Sequence, residues 1–158
     1  MSEIRKKIIE TNWRKGDTFR VSRTFTEKDT LNFSDITRDY NPVHLDQRFS
    51  DAKGLHGKVC HGLLVASLVT EIGGQGGLFA SGMNFRFKRP VYFGDTIECC
   101  LTIIDVDDDG RARSEVVYRN QVGDTVLEAS VEGIIPGIPE QKVMQGMVEE
   151  GDPTNKLR

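Results

Sequence analysis

The run Gly62-Leu-Leu-Val-Ala-Ser-Leu-Val-Thr-Glu-Ile72 constrains this chain most, because it is apolar on nearly every side. A helix with that pattern must be buried all round, so the rest of the chain has to wrap it. Gly73-Gly74-Gln75-Gly76-Gly77 predicts where it stops. Strand periodicity follows. Met83, Phe85 and Phe87 alternate with Asn84, Arg86 and Lys88, which predicts a strand carrying the three apolar residues inward. Pro90 closes that run and Gly94-Asp95 turns the chain. Ile97, Cys99, Leu101 and Ile103 form the next alternating set, and Asp107-Asp108-Asp109-Gly110 marks a hairpin turn. Ser114, Val116 and Tyr118 continue the pattern, then Leu127, Ala129 and Val131 after a turn at Gly123-Asp124. Upstream, Phe19 to Thr24 alternates in the same way. These signals predict an α+β chain in which an antiparallel sheet of five strands wraps one central apolar helix.

The flanks are less regular. Residues 1–16 carry mixed charge with Ile4, Ile8 and Ile9, a short helix or an arm. Thr26-Glu27-Lys28-Asp29 starts a helix, with Thr26 as cap and two acids at the positive end of the helix dipole. That helix should end near Asp39, since Pro42 drives Asn41 out of the helical region. Residues 40–60 read as a long ordered loop with one short helix, the kind of segment that often carries function. Residues 137–158 are polar and read as a loose tail behind a single domain over 1–136.

Size and charge exclude several classes. The 158 residues suit one domain. Lys and Arg number 21 against 24 Asp and Glu, a net charge of −3 without the basic excess of a nucleic-acid binder. The longest apolar stretch, Gly62 to Val69, is well short of the roughly 18 residues that would cross a bilayer. The charged N-terminus lacks a signal-peptide core. Cys60, Cys99 and Cys100 are odd in number, and the adjacent pair points to opposite faces of a strand, so they read as free thiols in a reducing compartment, the cytoplasm.

Chemistry gathers around the histidines. Asp39-Tyr40-Asn41-Pro42-Val43-His44 sets an acid and an imidazole on either side of a rigid turn. Fully extended, the segment would part them by about 17 Å. Folded by Asn-Pro, it lets both converge on one cavity, where the acid can orient the imidazole or share proton transfer with it. The plainer reading has Asp39 capping the following turn and His44 in solvent. His61-Gly62 opens the apolar helix, and the first helical N–H groups have no partner within the helix. Gly62 would let a ligand oxygen approach its N–H as in an oxyanion hole, or serve only close packing. His61 would then brace the loop. His56, Cys60 and His61 lack a clear fourth ligand, so no metal site is expected. The Gly73–Gly77 run follows a helix rather than opening one and has no Lys-Ser/Thr, so it is not a phosphate loop.

Three segments occur in order: Asp39-Tyr-Asn-Pro-Val-His44, Cys60-His61-Gly62-Leu-Leu, and Phe85-Arg-Phe-Lys-Arg-Pro-Val-Tyr-Phe-Gly-Asp95. Over roughly residues 15–135 the chain resembles the MaoC-like dehydratases, and among them the R-specific enoyl-CoA hydratases of hotdog fold. The resemblance implies that Asp39 and His44 act together on a catalytic water and that the Gly62 N–H meets the thioester oxygen. It implies that Asn41 holds the loop, in contact with substrate alongside His61. Many relatives have Gly where this chain has Arg38. The expected activity is reversible hydration of a trans-2-enoyl thioester to an (R)-3-hydroxyacyl thioester, without metal or other cofactor. The partner would be an acyl thioester of coenzyme A or of acyl-carrier protein. Arg38, Lys88 and Arg89 are candidates to meet coenzyme A phosphates, against the plainer reading of a solvated sheet face. Exposed sheet edges and the resemblance both imply a homodimer. Two rivals stand beside this reading. One is a thioesterase on the same fold, disfavoured by the Asp-Asn-Pro-His arrangement; the other is a non-catalytic acyl-CoA-binding subunit.

Overall fold

A computed structural model describes residues 2–157. Five strands are formed: β1 (Thr18–Thr24), β2 (Phe79–Phe87), β3 (Thr96–Val106), β4 (Arg111–Arg119) and β5 (Thr125–Ile134). They build one sheet in the order β1-β3-β4-β5-β2, antiparallel throughout. Alternation sets the register. Leu101 pairs with Phe19 on one side and Val116 on the other, and Cys99 pairs with Val21 and Tyr118, so each row presents one apolar face. Ile97, Cys99, Leu101 and Ile103 are almost wholly buried by it.

The expected central helix lies on that face, but in two pieces, α5 (Gly62–Ala66) and α6 (Leu68–Gly76). The break at Ser67 has one local cause and one that comes from β4. Ser67 Oγ donates back to the Leu64 carbonyl at 2.6 Å, and the Tyr118 hydroxyl donates to the Ala66 carbonyl at 2.8 Å. Both carbonyls are thereby drawn into other bonds. The glycine run also behaves differently from its expected role. The helix continues through Gly73 and Gly74 and is capped only at Gly77, whose φ of +67° suits glycine. Gly76 serves close approach: a Cβ there would lie 2.1 Å from the Trp13 indole, whose Nε1–H donates to the Gly76 carbonyl at 3.0 Å.

Four more helices precede α5. They are α1 (Glu3–Thr11), α2 (Glu27–Thr37), α3 (Pro42–Leu45) and α4 (Gln47–Ala52). Helix α2 starts with the Thr26–Asp29 capping box and ends on Arg38, at φ +59°. The 40–60 segment thus carries two short helices rather than one. The 137–158 segment is not a loose tail. Residues Ile138–Glu149 form α7, which buries Met144, and beyond it Asp152 pairs with Arg5 at 2.6 Å in the interior. One large buried side chain and a partner at the far end of the sequence leave no local pattern to read. Strand β2 is also corrected. It is a sheet edge, and Met83 and Phe87 remain exposed, with Phe85 packing against the core. No helix among the described residues is long and apolar enough to cross a membrane.

Candidate active site

A cavity of about 720 Å³ opens beside the start of α5, and Asp39, His44, His61, Gly62, Lys88 and Arg89 all line it. Each arrives there for a local reason. The chain leaves α2 through Arg38 in the left-handed conformation, which ends the helix and brings Asp39 to the cavity's edge. Asn41 then caps α3, its Oδ1 accepting from the Val43 N–H at 3.1 Å, and Pro42 occupies the first turn. This places His44 in a buried position while Asp39 stays half exposed. Asp39 caps the following turn, its Oδ1 accepting from the Asn41 N–H at 3.1 Å, while its Oδ2 lies 3.9 Å from Nε2 of both histidines.

The imidazole hydrogens follow from their partners, because a carbonyl can only accept. His44 Nδ1 donates to the Val59 carbonyl at 2.8 Å, which leaves the Nε2 lone pair facing Asp39 Oδ2 at 3.9 Å. That gap is too long for a direct hydrogen bond and suits a bridging water. His61 Nε2 donates to the Asp39 carbonyl at 3.0 Å and also lies 3.9 Å from Oδ2. The two rings stack at 3.8 Å. Burial lowers the His44 pKa, and the neighbouring His61 adds to the effect; the hydrogen bond to Val59 and the Asp39 charge oppose it. Neutral His44 with a free Nε2 is the form a general base needs.

Asp39, His44 and His61 each offer a ligand-type atom within 4.8 Å of the others, a trio that sequence spacing did not single out. The donor set does not fit a shared cation, since His61 Nε2 carries its hydrogen toward the Asp39 carbonyl.

Gly62 is the first residue of α5, so its N–H has no acceptor within the helix. A Cβ there would come within 2.6 Å of the Phe87 ring, which walls the cavity on that side. The other walls are largely apolar, including Phe33, Val65 and Leu127, which sequence reasoning assigned no role at the site; alternation marks Leu127 as inward-facing but not as cavity-lining. Cys60 also lines the cavity, with burial pushing its thiol up to about 11, so it is no thiolate nucleophile at neutral pH.

Two residues sit differently from the sequence expectation, Arg38 and Lys88. Arg38 is exposed at the end of α2 and outside the cavity lining; Asn41 also lies outside the lining but caps α3, which holds the loop as expected. Lys88 reaches the cavity but pairs with Glu128 at 3.0 Å, whereas Arg89 forms no ion pair among the described residues.

A sheet curled round a central helix, with its cavity at the helix start, is the hotdog architecture. The chain belongs to the family of the MaoC like domain, whose model matches residues 11–126. It is 28% identical over 117 residues to a 3-hydroxybutyryl-CoA dehydratase of Methylorubrum extorquens, covering 71% of this chain and 73% of that one. It is 32% identical over 85 residues to a mitochondrial 3-hydroxyacyl-[acyl-carrier-protein] dehydratase of Arabidopsis thaliana, covering 52% of this chain and only 51% of that protein's length. The solved (R)-hydratase of A. caviae superimposes with a TM-score of 0.75 at 25% identity, over 80% of this chain and 99% of that one.

Proposed function

We propose that the protein is a hydro-lyase that adds water across a trans-2-enoyl thioester to give the (R)-3-hydroxyacyl thioester, and catalyses the reverse dehydration. One observation carries the reading: Asp39 Oδ2 and the free His44 Nε2 face each other at 3.9 Å on a cavity whose walls are largely apolar. A water between them can donate one hydrogen to each. As its oxygen bonds to C3, His44 takes a proton, and the electron pair moves onto the thioester oxygen as an enolate. The Gly62 N–H is available to that oxygen, a contribution typically worth about 100- to 1000-fold. C2 then takes the proton on the same face, which makes the addition syn, and no electron acceptor is consumed. The relatives named for coenzyme A and acyl-carrier-protein thioesters support this substrate class.

The same reading takes coenzyme A or acyl-carrier protein as carrier and includes a homodimer. Strand β2 pairs on one side only and exposes Phe79, Met83 and Phe87, an edge that a second chain would cover. The three thiols are free, which suits a reducing compartment such as the cytoplasm.

Crotonyl-CoA tests the activity directly. Hydration removes the enone absorbance without releasing thiol. Thiol release would mark a thioesterase, and binding without either change would mark a non-catalytic subunit. A sedimentation mass of a single chain at micromolar concentration would rule out the dimer.

A further inference from the structure

We propose that His61 is a positioning residue whose buried Nε2–H holds the Asp39 main chain, and through it the carboxylate, in register with His44. The proposal rests on the hydration reading for its consequence, and on geometry for its substance. Asp39 is poorly held by its own neighbourhood. It follows Arg38 in the left-handed conformation, its side chain is 50% exposed, and its local bonds stay within one turn. Those bonds are from the Asn41 N–H to Oδ1 and from the Asp39 N–H to Thr37 Oγ1, at 3.1 and 3.3 Å. They travel with the turn and cannot fix it to the rest of the molecule.

The bond from His61 Nε2 to the Asp39 carbonyl, 3.0 Å long, ties that turn to the start of α5. Its donor is rigid. His61 is 2% exposed, stacks on His44 at 3.8 Å, and has Phe33 5.1 Å away at a tilt. Holding a histidine here has a cost, because Nδ1 is buried with no hydrogen-bond partner among the described residues. A phenylalanine would fill the space without that penalty, so the ring must supply something an apolar one cannot, and the Nε2–H is what it supplies. The trio then divides its labour. Asp39 and His44 touch the water, while His61 sets the distance between them.

Two variants of the full chain test this. In His61→Phe the shape is kept and the donor lost; kcat should fall by about 100-fold, the effect of roughly 1 Å of misplacement, with KM within about threefold. In His61→Gln an N–H can reach the same carbonyl, and the loss should be no more than about tenfold. Thermal unfolding confirms that both are folded. Equal losses in the two variants, or a His61→Phe enzyme within threefold of the parent, would overturn the proposal. A second measurement needs no substrate. His44, whose titration NMR follows, is acted on by Asp39 from the α2–α3 turn and by His61 ahead of α5, and it shares its cavity with Cys60 ahead of α5 and with Lys88 and Arg89 after β2. Asp39→Asn should lower the His44 pKa in the parent and leave it unmoved in His61→Phe, where the carboxylate has drifted away. The same shift in both backgrounds would also overturn it. A parent chain that fails to hydrate crotonyl-CoA would sink the hydration reading, and the titration would still decide what His61 does.

Discussion

The two ends of the α5–α6 helix pair are built to opposite rules. At the α5 end, polar groups are left with bonding capacity: Asp39 is half exposed, His44 and Gly62 line a cavity, the Gly62 N–H has no acceptor within the helix, and His61 Nδ1 has no partner among the described residues. At the α6 end nearly every polar group is joined. Arg5 bonds Asp152 at 2.6 Å, the Gln75 carbonyl at 3.2 Å and the Gly74 carbonyl at 3.3 Å. Asn155 bonds both Gln75 and Asp152, and the Ser2 hydroxyl bonds Gln75 as well. On the proposed hydration reading the first end keeps its bonding capacity for a substrate; the second uses it to tie α1, α6 and α7 together. Stability and chemistry are thereby separated along one helical axis, which makes the separation testable.

The largest effects should fall at the cavity end and in activity alone. Asp39→Asn and His44→Gln should each cost at least about 100-fold in kcat/KM, as loss of general acid–base help does, with melting temperatures close to the parent's. A folded variant that retains a tenth of parental turnover would break the assignment. The mirror experiment is Arg5→Ala. Removing the guanidinium that pairs with the buried Asp152 carboxylate should cost about 3 kcal/mol of stability, read by denaturant unfolding, while kcat/KM of the folded protein stays within about twofold. A large activity loss there would show that the two ends are coupled.

Smaller effects sharpen the contrast. Arg89→Glu should raise KM for a coenzyme A thioester several-fold and leave a pantetheine thioester nearly unchanged, because exposed charge contacts with phosphates are modest and weakened by salt. The same change in both substrates would return Arg89 to a solvated surface role. The pH dependence has a definite sign. The His44 pKa lies below its ordinary value of 6.5 in the folded chain, so the folded state binds fewer protons than the unfolded one between those two values. Stability should therefore fall as pH drops through that window, and the acid limb of kcat/KM should lie below 6.5. The smallest effect is expected at Arg38, where glycine would relieve a left-handed conformation. Arg38→Gly should stabilise by about 0.5 kcal/mol, the roughly 1–2 kcal/mol strain of an L-residue offset by glycine's extra chain entropy.

Sequence made one end far more legible than the other. The Thr26 cap, the convergence of Asp39 with His44 and the alternating rows of β3 and β4 are short-range patterns, and each is found where those patterns put it. The split at Ser67 escaped because it depends on the Tyr118 hydroxyl, a residue far along the chain. Helix α7 escaped because its burial rests on Met144, and the tail beyond it is held by a cation almost a full chain length away. Within the site, spacing offered the Asp39–His44 pair as one of two readings and His61 as a brace for the loop, but the bond from His61 to the Asp39 carbonyl joins a side chain to a backbone atom, so residue types do not name its partner. The strain at Arg38 depends on its backbone φ of +59°, which the residue type does not announce.

Trp13 gives the molecule a built-in optical reporter. It is the single tryptophan of the chain, 3% exposed, edge-on to Phe19 at 4.9 Å and bonded to the Gly76 carbonyl. Its emission therefore watches the α6 end from inside, and it is not among the residues that line the cavity. A fluorescence melt of this protein follows the loosening of the α1–β1 link from α6, and a ligand titration read by the same signal should stay nearly flat while the cavity fills.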